Sequence, residues 1–367
     1  MNKLFAYLKN FDWILFVAVL LLVCFGLAEI YSIALSKGDI SLLNLKKQFL
    51  FAVIGIVLLF LLSFFDFYNL QSYNVHIYIV GIVVLVIVLV LGTTVRGTTG
   101  WFEFGIFRIQ PVEFIKLILI VFLARYFSGI SININPLKHL IFSGLGTGVF
   151  VFLILKQPDF GSAFILCVLW VLMVVIAGFK KRYIAGIVMI FFLVFASGWL
   201  FFFKDYQKNR ILTFINPTEN SLDEGYNINQ AIIAIGSGGV TGRGIGFGSQ
   251  SQLKFLPEAQ NDFIFAVIAE ELGFLGVCFV VLFFLVLFSR LIINTRNINN
   301  DFGIFFLLGA MSLLFIEMFI NIGMNIGLLP VVGISLPFLS YGGSSLLASL
   351  ALVGMAESII IRSKIKY

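Results

Sequence analysis

The sequence predicts an all-α polytopic membrane protein with ten transmembrane helices and one large extracytoplasmic loop between helices 7 and 8. Hydrophobic residues make up 60% of the 367 residues and charged residues 11%, whereas soluble domains carry about a quarter charged residues. The apolar residues form separate blocks of about 20, the length that crosses the hydrocarbon core of a bilayer. The net charge of +6 is not gathered in a basic segment interleaved with aromatic residues, so the composition argues against a nucleic-acid-binding protein.

Apolar blocks define the predicted spans and leave one long connection. The spans lie at about 12–33, 48–66, 74–92, 112–130, 139–156, 161–179, 182–203, 263–290, 302–327 and 339–361, each within a few residues. We interpret 1–367 as a single transmembrane domain whose large loop covers about 204–262. The spans are even in number, so both termini lie on one side, and the Lys and Arg residues of the termini and short loops predict that this side is cytoplasmic.

A carboxylate marks the junction between the long loop and the eighth span. Asp262 follows the polar, turn-like stretch 254–261 and precedes a long apolar run, so we expect it at or just inside a membrane surface. An ionised side chain in a membrane costs free energy on the order of a few kcal/mol, and function is the default reason for keeping one there. Asp262 is therefore the first candidate for a catalytic residue.

Further charges lie beside the predicted third and fourth spans. Glu113 and Lys116 are three residues apart, so on a helix they share a face and can pair. Such a pair either locks the helix bundle or contributes to a binding cavity, and the residues alone leave both readings open. We include Glu113 and Lys116 among the substrate-binding candidates, with Lys116 as a candidate cation for the phosphate. Arg96 and Arg108 flank the outer loop just before this helix, where they either support its rim or bind an anionic group.

The long loop carries a run of glycines between 236 and 248. Glycines adopt positive φ angles and can present backbone N–H groups to an anion, although composition alone favours a flexible linker. The stretch 225–235 before this run has the apolar spacing of a helix. The same loop supplies four charged candidates for substrate binding, which are Arg210, Arg243, Lys254 and Glu258. Glu258 either contacts the substrate or positions a neighbouring cation.

A second unusual stretch lies at 327–345. Prolines and glycines interrupt an apolar sequence there, which predicts a broken or re-entrant segment. Such a backbone is tolerated at membrane depth where protein or a cavity satisfies it. We expect a pocket at this position and include Ser344 and Ser345 among the substrate-binding residues.

Together these candidate residues predict a substrate with a lipid tail in the bilayer and a phosphate at the membrane surface. Arg and Lys side chains would hold the phosphate through charge-assisted hydrogen bonds. Partial desolvation would fit a carboxylate to take a proton from an attacking hydroxyl. The residues alone thus predict a lipid-phosphate transferase or a transporter.

Several motifs resemble those of the SEDS family (shape, elongation, division, sporulation) over nearly the whole chain. They are FLPE at 255–258, NDFIFA at 261–266, EELG at 270–273, QPVEFIK at 110–116, QPDFGS at 157–162, GY at 225–226, IGSGG at 235–239 and LSYGGSS at 339–345. NIGMNIGLLPVVG at 321–333 resembles the elongation branch, RodA, more than the division branch, FtsW. Asn261 stands where threonine is usual before the aspartate, and Asn can also cap the following helix.

The resemblance implies a peptidoglycan glycosyltransferase that polymerises lipid II, the undecaprenyl-pyrophosphate disaccharide-pentapeptide, during elongation and rod-shape maintenance. The family's essential aspartate maps onto Asp262, which implies that this residue is the general base. The implied partners are lipid II, a class B penicillin-binding protein transpeptidase and membrane proteins of the elongation complex. No organic cofactor is implied, and a divalent cation, Mg²⁺ or Mn²⁺, is an open expectation. The location implied is the bacterial cytoplasmic (inner) membrane, with the active face extracytoplasmic.

Three alternatives stay open at this point. A lipid II flippase or other transporter would also need buried charges and broken helices, but it would not need one indispensable carboxylate at the outer surface. A scaffold that recruits the transpeptidase would tolerate Asp262→Asn. A division polymerase of the FtsW type would share the chemistry and differ in its place in the cell.

Overall fold

The computed structural model describes residues 3–37, 39–95, 97–105, 107–130, 134–202, 208, 212, 214 and 224–365. Within them we number the helices in chain order: α1 (Lys3–Asn10), α2 (Trp13–Lys37), α3 (Asp39–Phe64), α4 (Phe67–Ser72), α5 (Asn74–Leu91), α6 (Val112–Ser128), α7 (Pro136–Lys156), α8 (Phe160–Ile176), α9 (Lys181–Ser197), α10 (Glu224–Ser237), α11 (Ser249–Gln252), α12 (Ile264–Thr295), α13 (Asp301–Asn325) and α14 (Gly343–Lys364). A π-helical turn, Gly198–Phe202, extends α9.

The all-α polytopic architecture predicted from the apolar blocks is confirmed. Each predicted span overlaps one helix, in the order α2, α3, α5, α6, α7, α8, α9, α12, α13 and α14. Among the described residues, eight helices are long and apolar enough to cross a membrane, and α6 and α8 have 17 residues each. The helical spacing of 225–235 is also confirmed, since α10 covers it.

A small sheet, which the apolar pattern did not predict, covers the connection between α5 and α6. Its strands are β1 (Thr93–Val95), β2 (Thr98–Phe104) and β3 (Phe107–Ile109), paired antiparallel in the order β1-β2-β3. Two of the strands have only three residues, too few for a period-two pattern to be recognised.

The last helix, α14, lies at the centre of the bundle. Its most apolar stretch is 89% buried within the protein, and it packs most extensively against α3. A Cβ atom at Gly354 would lie 2.6 Å from the carbonyl oxygen of Leu59, so the two backbones touch in the manner of small-residue contacts between membrane helices. The segment that precedes α14 is thereby held at a fixed depth.

Helix α12 is broken near its start by Gly273, whose φ of 68° and ψ of −164° are not helical. The glycine loop, residues 236–248, supplies the missing backbone partners, because Arg243 N donates to Glu270 O and Gly244 N to Glu271 O, at 3.0 and 2.9 Å. Phe274 N in turn donates to Gly239 O at 2.9 Å. The interrupted helix is therefore satisfied by protein, as broken helices at membrane depth require.

The region 326–342 between α13 and α14 is non-helical, as the prolines and glycines predicted. Gly327 and Gly333 adopt φ angles of 72° and 69°, which glycine reaches without steric cost. Helix α14 begins at Gly343, four residues after the start of the predicted tenth span at 339.

Candidate active site

Asp262 lies in the turn immediately before α12. It is half-buried, whereas Leu256, Ala259 and Phe263 around it are buried. These apolar side chains pack the turn against the helix bundle, and the carboxylate of Asp262 lies at the edge of the bundle. The position agrees with the junction between loop and span that the sequence indicates.

Two asparagines of α13 hold the backbone at Asp262. The Nδ2 atoms of Asn321 and Asn325 donate to the carbonyl oxygen of Asp262 at 3.0 and 2.9 Å. Oδ1 of Asn325 also accepts from Ala266 N in the first turn of α12, at 3.2 Å. Sequence reasoning missed both residues; the available signal was a pair of Asn residues four apart in an otherwise apolar helix.

The non-helical segment 326–342 forms the wall opposite Asp262. A Cβ atom placed on Gly333 would lie 3.7 Å from Oδ2 of Asp262, so the backbone passes directly beside the carboxylate. Ser340 Oγ donates to Asn261 O at 2.6 Å, and Tyr341 N donates to Gln260 O at 2.8 Å. The two segments therefore form one unit around the aspartate.

Ser344 and Ser345 lie in the first turn of α14 and contact other protein groups. Ser344 Oγ accepts from Gln110 N at 2.9 Å, and Ser345 Oγ lies 2.9 Å from Ser335 Oγ. Gln110 Nε2 reaches Asp159 Oδ2 at 3.4 Å. The starts of α6, α8 and α14 thus meet here, so the motifs at 110–116, 157–162 and 339–345 converge in space.

Glu113 and Lys116 pair on α6 as the spacing predicted, and a third residue joins them. Lys116 Nζ lies 2.9 Å from Glu113 Oε1 and 2.7 Å from Glu317 Oε1 of α13. All three are buried, and they line a cavity of about 10 Å³, the size of a single water site. The Lys116 ammonium is enclosed by two carboxylates and serves the packing of α6 on α13.

The remaining predicted cations lie nearer the surface. Arg108 is 59% exposed and pairs with Glu103 of β2 at 2.8 Å. Arg243 is exposed and donates to Ser237 O and Ser249 Oγ at 3.3 and 2.8 Å. Lys254 is also exposed. Two other predicted cations, Arg96 and Arg210, lie outside the described residues.

Glu258 is half-buried, and its Oε2 accepts from Asn261 Nδ2 at 2.6 Å. Glu258 therefore contacts the residue directly before Asp262. Its φ of 52° is in the left-handed region, which marks a tightly specified turn.

The glycine loop and the short helix α11 that follows it donate backbone amides to two carboxylates of α12. Glu270 accepts from the backbone amides of Gln250 and Ser251 at 2.8 and 3.1 Å, and Glu271 accepts from Gly246 N at 3.0 Å. Neither carboxylate is exposed. In this conformation the protein's own side chains occupy those amides, and the loop is folded onto α12 rather than acting as a flexible linker.

Comparison with known proteins gives consistent matches, most of them over nearly the whole chain. Residues 12–365 match the family described as cell cycle protein, which groups FtsW, RodA and SpoVE. Stage V sporulation protein E of Bacillus subtilis is 37% identical over 357 residues, which cover 95% of this chain and 96% of that protein. Peptidoglycan glycosyltransferase MrdB of Escherichia coli is 37% identical over 265 residues, 71% of this chain and 70% of that protein. A probable peptidoglycan glycosyltransferase FtsW of Geobacter metallireducens is 34% identical over 375 residues, covering 97% and 96%.

Solved structures have the same fold. A chain from a structure of a peptidoglycan synthase complex superposes with a TM-score of 0.82 at 28% identity, covering 97% of this chain and 99% of that chain. The rod shape determining protein RodA of Thermus thermophilus has a TM-score of 0.72 at 26% identity, covering 97% and 98%. That protein has also been solved as a variant with one aspartate replaced by alanine.

Proposed function

This chain belongs to the SEDS family, and we propose that it is a peptidoglycan glycosyltransferase that polymerises lipid II into glycan strands during cell elongation. The observation that carries the proposal is the placement of Asp262. Its carboxylate is half-buried at the start of a membrane helix, and its backbone is held by buried amides. Among the relatives, MrdB of Escherichia coli is named as a peptidoglycan glycosyltransferase and the nearly full-length match FtsW of Geobacter metallireducens as a probable one.

In the proposed reaction, Asp262 acts as a general base. It takes the proton of the acceptor sugar's 4-hydroxyl as that oxygen attacks the anomeric carbon of the donor. A new bond forms between this carbon and the acceptor oxygen, and the bond from the carbon to the pyrophosphate oxygen breaks. Undecaprenyl pyrophosphate leaves with the bonding electrons, and the proton stays on Asp262 until it is released to solvent. Such proton transfer contributes about 100- to 10,000-fold to rate.

The leaving pyrophosphate needs cations, and the exposed basic residues near the surface are the proposed source. Arg243 and Lys254 belong to the loop that ends at Asp262, and both are exposed. Arg108, Arg96 and Arg210 stay in the proposed set, as do Glu258, Ser344 and Ser345 for the sugar. For Glu113 and Lys116 we propose an indirect part, because their charged atoms face each other and Glu317 inside the bundle.

A requirement for a divalent cation stays open to experiment. Among the described residues, no three or more His, Cys, Asp and Glu side chains are grouped to hold a metal ion. We therefore derive no step through Mg²⁺ or Mn²⁺. Activity with each added cation and with a chelator measures the requirement directly.

We place the active face outside the cytoplasmic membrane of a bacterium, with both termini inside. Asp262 lies beside Asn325, at the C-terminal end of α13. Asp301 is at the N-terminal end of the same helix, about 36 Å away along its axis at about 1.5 Å per residue. Basic residues such as Lys181 and Arg296 lie at the Asp301 end, which supports the assignment of that end to the cytoplasm.

As partners we propose a class B penicillin-binding protein transpeptidase and elongation-complex membrane proteins. A chain with the same fold comes from a structure described as a peptidoglycan synthase complex.

The deciding experiment is polymerisation of lipid II by the purified protein in detergent, with and without the partner transpeptidase. We expect polymer from the wild type and at least a 100-fold lower rate from Asp262→Ala and Asp262→Asn. Asp301→Asn is the matched control, because Asp301 is an exposed carboxylate at the opposite end of α13. Normal polymerisation by the Asp262 variants would overturn the proposal.

The same assay separates the enzyme from a transporter. A detergent solution has no membrane to cross, so a lipid II flippase would produce no polymer there. A scaffold would keep its partner in both Asp262 variants but would show no polymerisation of its own.

The elongation role is a finer proposal, supported by the RodA-like stretch 321–333. The relatives named above include FtsW and SpoVE as well as MrdB. Expression in cells depleted of their own elongation or division polymerase distinguishes the roles. We expect recovery of rod shape in the first case and no recovery of septation in the second.

A further inference from the structure

We propose that Asn321 and Asn325 are positioning residues that hold the Asp262 carboxylate in its reactive place by clamping the backbone on which it stands. This inference rests on the proposed function. It concerns two side chains of α13 that are distant from Asp262 in sequence and are fully buried.

The two amides form one hydrogen-bonded ladder. Asn325 Nδ2 donates to Asn321 O at 2.8 Å as well as to Asp262 O. Asn321 Nδ2 donates to Ile334 O at 2.7 Å as well as to Asp262 O. One carbonyl thus receives two donors, and Asn321 also binds the wall on the far side of the carboxylate.

These contacts restrict both the aspartate and its surroundings. Two donors on Asp262 O limit rotation of the peptide group that follows it. The bond from Ala266 N to Asn325 Oδ1 fixes the first turn of α12 to the same side chain. The hydrogen bond from Asn321 to Ile334 O fixes the backbone of the opposite wall at the residue that follows Gly333, and Gly333 lies beside the carboxylate. The distance between Asp262 and the opposite wall is therefore set by α13.

Packing alone gives no reason for amides at these positions. Buried polar groups in an apolar helix are costly unless they are hydrogen-bonded, and an apolar residue would fill the same volume without that requirement. Amides that bind carbonyls 59 and 63 residues away are the kind of support that a catalytic group needs, because a misplacement of about 1 Å can lower a rate by about 100-fold.

The test compares the same substitution at three buried asparagines. Asn321→Ser and Asn325→Ser remove the side-chain amides that donate to Asp262 O. Asn294→Ser is the control at the far end of α12. Asn294 is buried and donates to Asp12 and to Arg290 O, so its loss removes similar hydrogen bonds away from the site. Each variant is purified, its folded fraction is measured by size-exclusion chromatography and thermal unfolding, and kcat and KM for lipid II are determined per folded molecule.

We expect kcat of Asn321→Ser and Asn325→Ser to fall on the order of 10- to 100-fold with KM changed less than about three-fold. The pH–rate profile of both variants should also move, because the carboxylate changes its surroundings. Asn294→Ser should keep the wild-type kcat and profile. Asn325→Asp serves as a second variant, since it keeps an acceptor for Ala266 N but loses the donor to Asp262 O, and it should show the same loss.

Wild-type kcat and pH profile in the folded Asn321 and Asn325 variants would overturn the clamp while leaving the proposed function intact. An equal loss in Asn294→Ser would also overturn it, since the effect would then be general destabilisation. Failure of the proposed function gives a different result, in which Asp262→Ala itself polymerises lipid II normally.

Discussion

The ammonium of Lys116 lies 2.7 Å from the carboxylate of Glu317, although 201 residues separate them in sequence. Glu113 approaches the same ammonium from one helical turn away on α6. This buried group of one cation and two carboxylates joins α6 to α13, the helix that also carries Asn321 and Asn325. The ion cluster and the candidate catalytic turn are thus connected through one helix.

Lys116→Met should strongly destabilise the protein, because it leaves two buried carboxylates facing each other. Breaking a buried ion pair by removing one partner costs about 3–5 kcal/mol. Unfolding of the purified protein in detergent would measure the loss. Replacing Glu113 and Glu317 by leucine in the same variant should restore most of the stability. A stable Lys116→Met single variant would contradict the assigned ion cluster.

Gly273→Ala should release the glycine loop from α12. The φ of Gly273 is 68°, and a Cβ atom there would lie 2.2 Å from Gly242 N. Backbone strain of this kind costs about 1–3 kcal/mol, and the clash adds to it. Hydrogen exchange should show faster exchange of the amides of Arg243 and Gly244.

The matched control for this change is Gly148→Ala in α7. A Cβ atom at Gly148 has nothing within 4 Å, and alanine is favoured over glycine in a helix by about 1 kcal/mol. We expect unchanged or slightly increased stability and unchanged exchange in the loop. Equal behaviour of the two variants would argue against a specific role for the break at Gly273.

Asp12→Asn tests the polar group at the other end of the bundle. Asp12 precedes α2 and accepts from Arg290 and from Asn294, at 2.8 and 2.6 Å. Burial alone would raise the pKa of Asp12, but the hydrogen bonds from Arg290 and Asn294 outweigh it and hold the pKa below the ordinary value of 3.8. The variant should therefore be less stable than the wild type at pH 7.

The pH dependence of this difference follows from the sign of the shift. A carboxyl group whose pKa is lowered by folding adds stability above its unfolded value, and this stability is lost as the pH falls through the folded value. The contribution of Asp12 should be full between pH 5 and 7 and decline only below about pH 4. Unfolding measured across this range would count against the network if the wild type and Asp12→Asn differed least at neutral pH.

Arg243→Gln should weaken the electrostatic stabilisation of the leaving pyrophosphate. We expect kcat/KM for lipid II to fall by about 10- to 150-fold, since a hydrogen bond to a charged group contributes about 1.5–3 kcal/mol and about 1.4 kcal/mol corresponds to a factor of ten. Arg182→Gln is the control, because Arg182 is an exposed cation at the start of α9, on the proposed cytoplasmic side. Equal kinetics for both variants would remove Arg243 from the proposed set.

The sequence was most informative where a local pattern determines the structure. Apolar blocks of span length give the helices because backbone groups in a bilayer must be satisfied internally. Asp262 could be identified because a carboxylate at the edge of such a block is unusual. The pairing of Glu113 with Lys116 followed from helical spacing, but Glu317 could not be assigned because its partner lies on another helix.

Tertiary partners account for what the sequence did not reveal. The glycine run was compatible with an anion site or a linker. The choice depended on α12, where the Glu271 carboxylate accepts from Gly246 N and the carbonyls of Glu270 and Glu271 accept from the amides of Arg243 and Gly244. Asn321 and Asn325 were not recognised because their partner carbonyls lie 59 and 63 residues away. Hydrogen bonds between residues so far apart produce no periodic pattern in the sequence by which they could be recognised.

The pairing between the glycine loop and the break at Gly273 also determines where the chain tolerates insertions. Surface loops usually accept added residues with little loss of stability. Here Gly239 O and the amides of Arg243 and Gly244 replace partners that a continuous helix would supply. A tag or fluorescent reporter placed between 239 and 244 would therefore unfold part of a membrane helix.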